Sequence, residues 1–209
     1  LLAHRSGLSQ YYYYCDHKLD NKDHLIYNDT VICVINFHNP EHNFRPDQKH
    51  YYSNTNYMLI SDLIDKVLGY RHQQYIKEEI LLPLGLTHTF GSLSEVDIDD
   101  VMSGYYAGVD TDFKREDQGM IATAEDVGIF LRALNDGSVF EEGEQDIYSS
   151  IYVYEHTGLI VGYQSIAKYH QDIDAVIIQF NNTTNFDGYD WSLAEIVYKR
   201  IVKIVRSKK

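Results

Sequence analysis

Residues 151–180 read IYVYEHTGLIVGYQSIAKYHQDIDAVIIQF, and this stretch decides the fold class. Ile151 to Tyr154, Tyr163 to Tyr169 and Ala175 to Phe180 are β-branched and aromatic runs separated by turn-forming residues. Such runs pack well on a pleated surface and predict three strands of an antiparallel meander. Beyond them, Trp191, Ala194, Val197, Ile201 and Ile204 or Val205 fall on one helical stripe, which predicts a closing helix. The basic tail Arg206, Lys208 and Lys209 suits the negative end of that helix's dipole.

Upstream the apolar period is that of helices. From Asn56 to Leu68 the positions Tyr57, Ile60, Leu63, Ile64, Val67 and Leu68 recur at helical spacing, and Gly69 follows where a left-handed residue closes a helix. A second helix is predicted from Arg71 to Leu82, stopped by Pro83. A third begins after Thr123, whose hydroxyl can cap the free N–H groups ahead of Val127, Phe130, Leu131 and Leu134, and Asn135-Asp136-Gly137 ends it. Glu95 to Asp117 is acidic and without sustained period, hence loop. Helices in the middle, strands late and one last helix predict an α+β fold with helices packed on an antiparallel sheet. We expect one domain over residues 1–209, with a helical lobe over roughly 1–118 and the sheet with its closing helix over roughly 119–209.

Composition bounds the function. At 209 residues and 44% hydrophobic, the chain can bury one sizeable core. Its formal charge of -13 would repel a phosphate backbone, so nucleic acid is not an expected partner. No apolar run approaches a membrane span, and no membrane contact is evident in this segment. The opening Leu1-Leu2-Ala3-His4-Arg5 lacks the layout of a signal peptide. Cys15 and Cys33 match no metal spacing and form either one disulfide or two buried thiols. There is no H-E-x-x-H among the ten histidines, and neither a metal nor another cofactor is expected. His38, Asn39, Glu41 and His42 cluster in a polar loop and read as solvated side chains, and Tyr11 to Tyr14 as an aromatic run that packs.

Four phrases, taken in order, carry a resemblance. Leu1-Leu2-Ala3-His4-Arg5-Ser6-Gly7-Leu8 comes first, and Phe44-Arg45-Pro46 leads to Tyr52-Ser53-Asn54. Pro83-Leu84-Gly85-Leu86 with Thr89 precedes Gly119-Met120-Ile121-Ala122-Thr123-Ala124-Glu125-Asp126. Last comes His156-Thr157-Gly158 with Gly162-Tyr163. In this order they resemble the landmarks of the serine β-lactamase and penicillin-binding-protein superfamily, in its class C-related branch. Asp47 stands where that family usually has glycine, and the stretch from Gly137 to His156 is shorter than usual.

The resemblance implies a serine hydrolase that forms an acyl-enzyme, with a small-molecule or peptide substrate: a D-Ala-D-Ala-like peptide, a β-lactam or a small ester. It also implies an extracytoplasmic location. Tyr52 would be the acid/base group, provided that cationic neighbours bring its pKa down from about 10. Asn54 would hydrogen-bond the substrate amide. His156 would take the third motif's cationic position, although an imidazole with a pKa near 6.5 is largely neutral at pH 7. Thr157 and Gly158 would keep the strand narrow for a substrate backbone, and the N–H of Leu159 would supply half of the oxyanion hole. Tyr52 and His156 would face a common cleft.

The attacking serine belongs to an S-x-x-K motif that in this family precedes the first phrase, so the resemblance places the nucleophile outside residues 1–209. One S-x-x-K is present, Ser165-Ile166-Ala167-Lys168, but it falls in a predicted strand. Residues three apart share a face on a helix and diverge on a strand, so this pair is not read as catalytic. The alternative function is a non-catalytic relative that binds a peptide or cell-wall fragment without turnover.

Overall fold

The chain was studied as a computed structural model that describes residues 1–9, 44–114, 119–151, 155–186 and 189–208. Cys15, Cys33, Tyr11 to Tyr14 and the cluster His38, Asn39, Glu41 and His42 lie outside the described residues. Two compact units divide between Gln74 and Tyr75.

In the unit Leu1–Gln74, the helix α1 spans Asn54–Leu68. Ser53 precedes it in extended conformation, and Gly69 closes it at φ 76, its N–H bonded to the carbonyl of Asp65. That glycine geometry is what the sequence called for, since a side chain strains the left-handed region. The Asp65 carboxylate then accepts the backbone N–H of His72 at 2.6 Å and sits 2.7 Å from its Nδ1. Partial burial alone would raise the Asp65 pKa, but these bonds and Arg71 hold it below the usual value. The next helix, α2, spans His72–Tyr75 and runs on as a π-helix over Ile76–Leu81, where Leu82 bonds back five residues to Lys77. It ends before Pro83, as expected from a ring that cannot donate.

In the unit Tyr75–Lys209, the strands β4 (His156–Ile160), β5 (Tyr163–His170) and β6 (Ala175–Asn181) form an antiparallel sheet in the order β4-β5-β6. The register pairs Gly158 with Ser165, and Ala167 with His156 and Ile178. Alternation along β5 sends Ile166 and Ala167 to opposite faces, and each face carries a helix. Ile166 and Ile177 pack with Ala194, Tyr198 and Val202 of α5 (Tyr189–Arg206). Ala167 packs with Leu131 and Leu134 of α3 (Ala124–Asp136). This is the expected α+β layering.

The Thr123 hydroxyl caps α3 by accepting the N–H of Asp126 at 3.2 Å, and Gly137 closes it at φ 84. Ahead of α3 lie β1 (Thr89–Phe90) and β2 (Tyr105–Tyr106). The former pairs antiparallel with β3 (Ile121–Ala122), the latter parallel with β7 (Thr183–Thr184). Within the predicted loop of residues 95–117, the described part holds a 3-10 turn at Ile98–Asp100 as well as β2.

Two expectations are corrected. Ile151 ends a helix, α4 (Glu144–Ile151), and does not open a strand; Tyr152, Val153 and Tyr154 lie outside the described residues, and the first described strand of the meander starts at His156. Glu144 and Asp146 favour the positive end of α4, and Tyr148 packs on the Phe140 ring, so context outweighs the β propensity of Ile151. The buried stripe of α5 is Ala194, Tyr198 and Val202, with Ile201 and Val205 packed beside it as expected, whereas Val197 and the alternative Ile204 are exposed. Tyr198 displaces them because its ring fills the core while its hydroxyl donates to the carbonyl of Ile177.

Candidate functional site

The Tyr-Ser-Asn phrase is held by the chain's opening phrase, about fifty residues away in sequence. His4 is 2% exposed, with its backbone in the left-handed region at φ 51. Its carbonyl accepts the N–H of Tyr51 at 2.8 Å, and its Nδ1 accepts the N–H of Ser53 at 3.2 Å. Its ring stacks on that of Tyr52, with centroids 4.3 Å apart and planes at 29°. The carbonyl of Ser9 accepts the hydroxyls of Ser53 at 3.1 Å and Thr55 at 2.7 Å. Asn56 is wholly buried, accepts the Ser6 hydroxyl and donates to the Ser53 carbonyl. Gly7, at φ 81, has no room for a side chain, since a Cβ there would lie 2.1 Å from the carbonyl oxygen of Phe44.

This scaffold leaves the Tyr52 side chain reachable. The residue is 48% exposed, and its hydroxyl lies 3.4 Å from Asn54 Oδ1. Asn54 forms the first residue of α1, whereas the hydroxyl of Ser53 turns back to Ser9 and does not cap the helix. A half-exposed phenol whose ring is stacked and whose hydroxyl meets an amide can exchange a proton with a bound group, geometry being the first requirement for that role.

His156, Thr157, Gly158 and Leu159 lie together on β4, which among the described residues pairs only with β5. His156, Thr157 and Leu159 are exposed. The His156 Nδ1 lies 2.6 Å from the carbonyl of Thr157. Gly158 keeps its place for a reason the sequence did not give: a Cβ there would sit 2.6 Å from the hydroxyl of Ser165 across the ladder. The turn after β4 is anchored as well. The Gly162 N–H donates to the buried Thr184 hydroxyl at 2.8 Å, and the Tyr163 hydroxyl donates to the carbonyl of Met102 at 2.8 Å. Burial and the nearby Asp112 push the Tyr163 phenol above its ordinary pKa, so it stays a neutral donor.

Ser165 and Lys168 lie on β5 as predicted from the strand period. Ser165 turns toward Gly158, while the Lys168 ammonium reaches Glu155 at 2.8 Å. Among the described residues, no group of three or more His, Cys, Asp or Glu side chains could hold a metal ion. Among them, too, no helix is long and apolar enough to cross a membrane.

His4, Ser6, Ser9 and Asn56 are the residues that sequence reasoning missed as parts of the site. The signal was present in the order of the phrases: a histidine, a serine and a glycine in the first phrase, read only as a landmark.

The family model described as Beta-lactamase matches residues 1–151. Penicillin-binding protein 4* of Bacillus subtilis strain 168 is 33% identical over 89 residues, which cover 43% of this chain and 20% of that protein. The matched segments span between 11% and 20% of the lengths of the curated relatives from Escherichia coli and Bacillus subtilis. Among solved structures, the D-amino acid amidase of Ochrobactrum anthropi SV3 superposes with a TM-score of 0.78 at 21% identity, covering 97% of this chain and 76% of the amidase. A penicillin-binding protein of Bacillus halodurans superposes with a TM-score of 0.70 at 15% identity, covering 88% of this chain and 66% of its own. At these identities the superpositions speak for the fold.

Proposed function

The chain belongs to the beta-lactamase family, and from that premise we propose that residues 1–209 carry the second and third motif regions of a serine acyl hydrolase. Its substrate in this reading is a D-Ala-D-Ala-like peptide, a β-lactam or a small ester, met outside the cytoplasm. The observation that carries the reading is the braced, solvent-reaching phenol of Tyr52 beside Asn54.

The attacking hydroxyl, from a serine outside residues 1–209, adds to the substrate carbonyl carbon as Tyr52, in its phenolate form, takes the hydroxyl proton. Cationic neighbours must hold Tyr52 in that form, and His156 takes the third-motif position in this reading. The N–H of Leu159 and that of the serine share the oxyanion. Collapse then breaks the bond to the leaving group, which departs with the proton from Tyr52. Water repeats the sequence and releases the acid with the serine restored. Asn54 orients the substrate amide, and Thr157 with Gly158 offers a narrow strand for its backbone.

The test is Tyr52→Phe in the natural gene product that contains these residues. Acylation by a fluorescent penicillin or a nitrophenyl ester should slow by roughly 100- to 10,000-fold while substrate binding stays within a few-fold. Near-normal turnover would return Tyr52 to a packing role. A wild-type protein that binds peptide but is never labelled would instead favour the non-catalytic binding reading.

A further inference from the structure

We infer that His4 is a positioning residue for Tyr52; this rests on the acid/base reading of Tyr52 given above. Three contacts from the one residue converge on three consecutive residues of the motif. The His4 carbonyl holds the N–H of Tyr51, its Nδ1 holds the N–H of Ser53, and its ring lies against the ring of Tyr52 between them. The backbone on both sides of Tyr52 and the face of its ring are thus held by one residue, through its main-chain carbonyl on one side and its almost wholly buried ring on the other.

A histidine suits this task for two separable reasons. Since its Nδ1 accepts the Ser53 N–H, the neutral ring carries its proton on Nε2, and one ring nitrogen is committed to setting the backbone. The flat ring also gives the exposed tyrosine a surface to stack on. Rings of His50 and Tyr57, 5.8 and 5.1 Å from that of His4, close in around it. A backbone at φ 51 is uncommon for a residue with a side chain and persists where the surroundings over-determine it, as these contacts do. His4 touches no reacting atom, so its effect runs through Tyr52.

Two variants divide the two contributions. His4→Asn keeps an acceptor near the Nδ1 position and tolerates the left-handed backbone, but removes the ring. His4→Phe keeps a ring to stack on but removes the acceptor. In the natural gene product, each should lower the acylation rate constant by roughly 10- to 100-fold, the scale of a misplacement of about 1 Å, with apparent substrate affinity within about two-fold. In a Tyr52→Phe background, the same two changes should have almost no further effect.

A readout independent of activity is the ring carbon signal of Tyr52 in protein labelled with 13C-tyrosine, identified by its loss in Tyr52→Phe. It should move in His4→Asn, which withdraws the stacked ring. The inference is overturned if either His4 variant slows acylation as much without Tyr52 as with it, or if the Tyr52 signal stays in place in a folded His4→Asn protein. Should Tyr52→Phe itself turn over normally while the Tyr52 signal still moves, the acid/base reading fails and the brace stands as structure alone.

Discussion

Gly158 and Ser165 face each other across the β4–β5 ladder, and a Cβ at 158 would sit 2.6 Å from the Ser165 hydroxyl, which would have to turn away. Gly158→Ala should cost about 1 kcal/mol, the scale of forcing the Ser165 hydroxyl from its rotamer. Adding Ser165→Ala removes the hydroxyl that lies 2.6 Å from the new methyl and leaves the Ser165 Cβ at 3.9 Å, an ordinary contact, so stability should largely return. Urea denaturation of the single and double variants checks this, and a double variant no better than Gly158→Ala would show that the strain lies elsewhere. The sequence made Gly158 conspicuous through the His-Thr-Gly phrase, yet only the register shows which side chain fills its space. His4 went unread for a similar reason. A single histidine carries no period, and its partners at positions 51 to 53 are brought to it by folding.

At the scale of elements, the Asp126 carboxylate does more than occupy the first turn of α3. It accepts the N–H of His88 and the hydroxyl of Thr89, each at 2.8 Å, tying the segment before β1 to the helix. Asp126→Ala should therefore cost more than loss of the cap itself. Thr123→Ala should lose about 1 kcal/mol, whereas removing Asp126 strands two donors and should lose roughly 1–3 kcal/mol for each that water cannot reach. Unfolding midpoints in urea would rank the two, and the reverse order would mean that the residues around His88 are held by other contacts. The helices were legible because caps are local: Thr123, Gly69 and Gly137 announce their ends from one or two residues. Neither α4 nor the π-helix of Ile76–Leu81 was, since β-branched residues ran past the end of the first and apolar spacing does not distinguish five-residue from four-residue bonding.

For the whole molecule, the α+β class was legible from the change of period along the chain, and the family from the order of its phrases. The division at Gln74 was not, because no linker composition marks it. The charge of -13 sets how the surface meets other molecules, while the alkaline side of stability is expected to depend on a buried phenol. Burial pushes the Tyr198 phenol from 10.0 up to about 12. Between those values an unfolded chain gives up a proton that the folded protein keeps, so stability should be full below about pH 10 and fall as pH rises toward 12. Tyr198→Phe should be less stable at pH 9, having lost its bonds to Ile177 and His170, but should decline less steeply above pH 10. Equal slopes for both proteins in an unfolding series would assign the alkaline limit to another group. The brace between His4 and Ser53 also has a consequence in time. Its partners are 49 residues apart, and a ribosome adding about 5–20 residues per second takes roughly 2–10 s to make that interval. During synthesis the opening phrase must wait, its histidine and serines in water, for the second phrase to emerge. A pause between the two codon stretches would lengthen that wait without changing a single residue of the product.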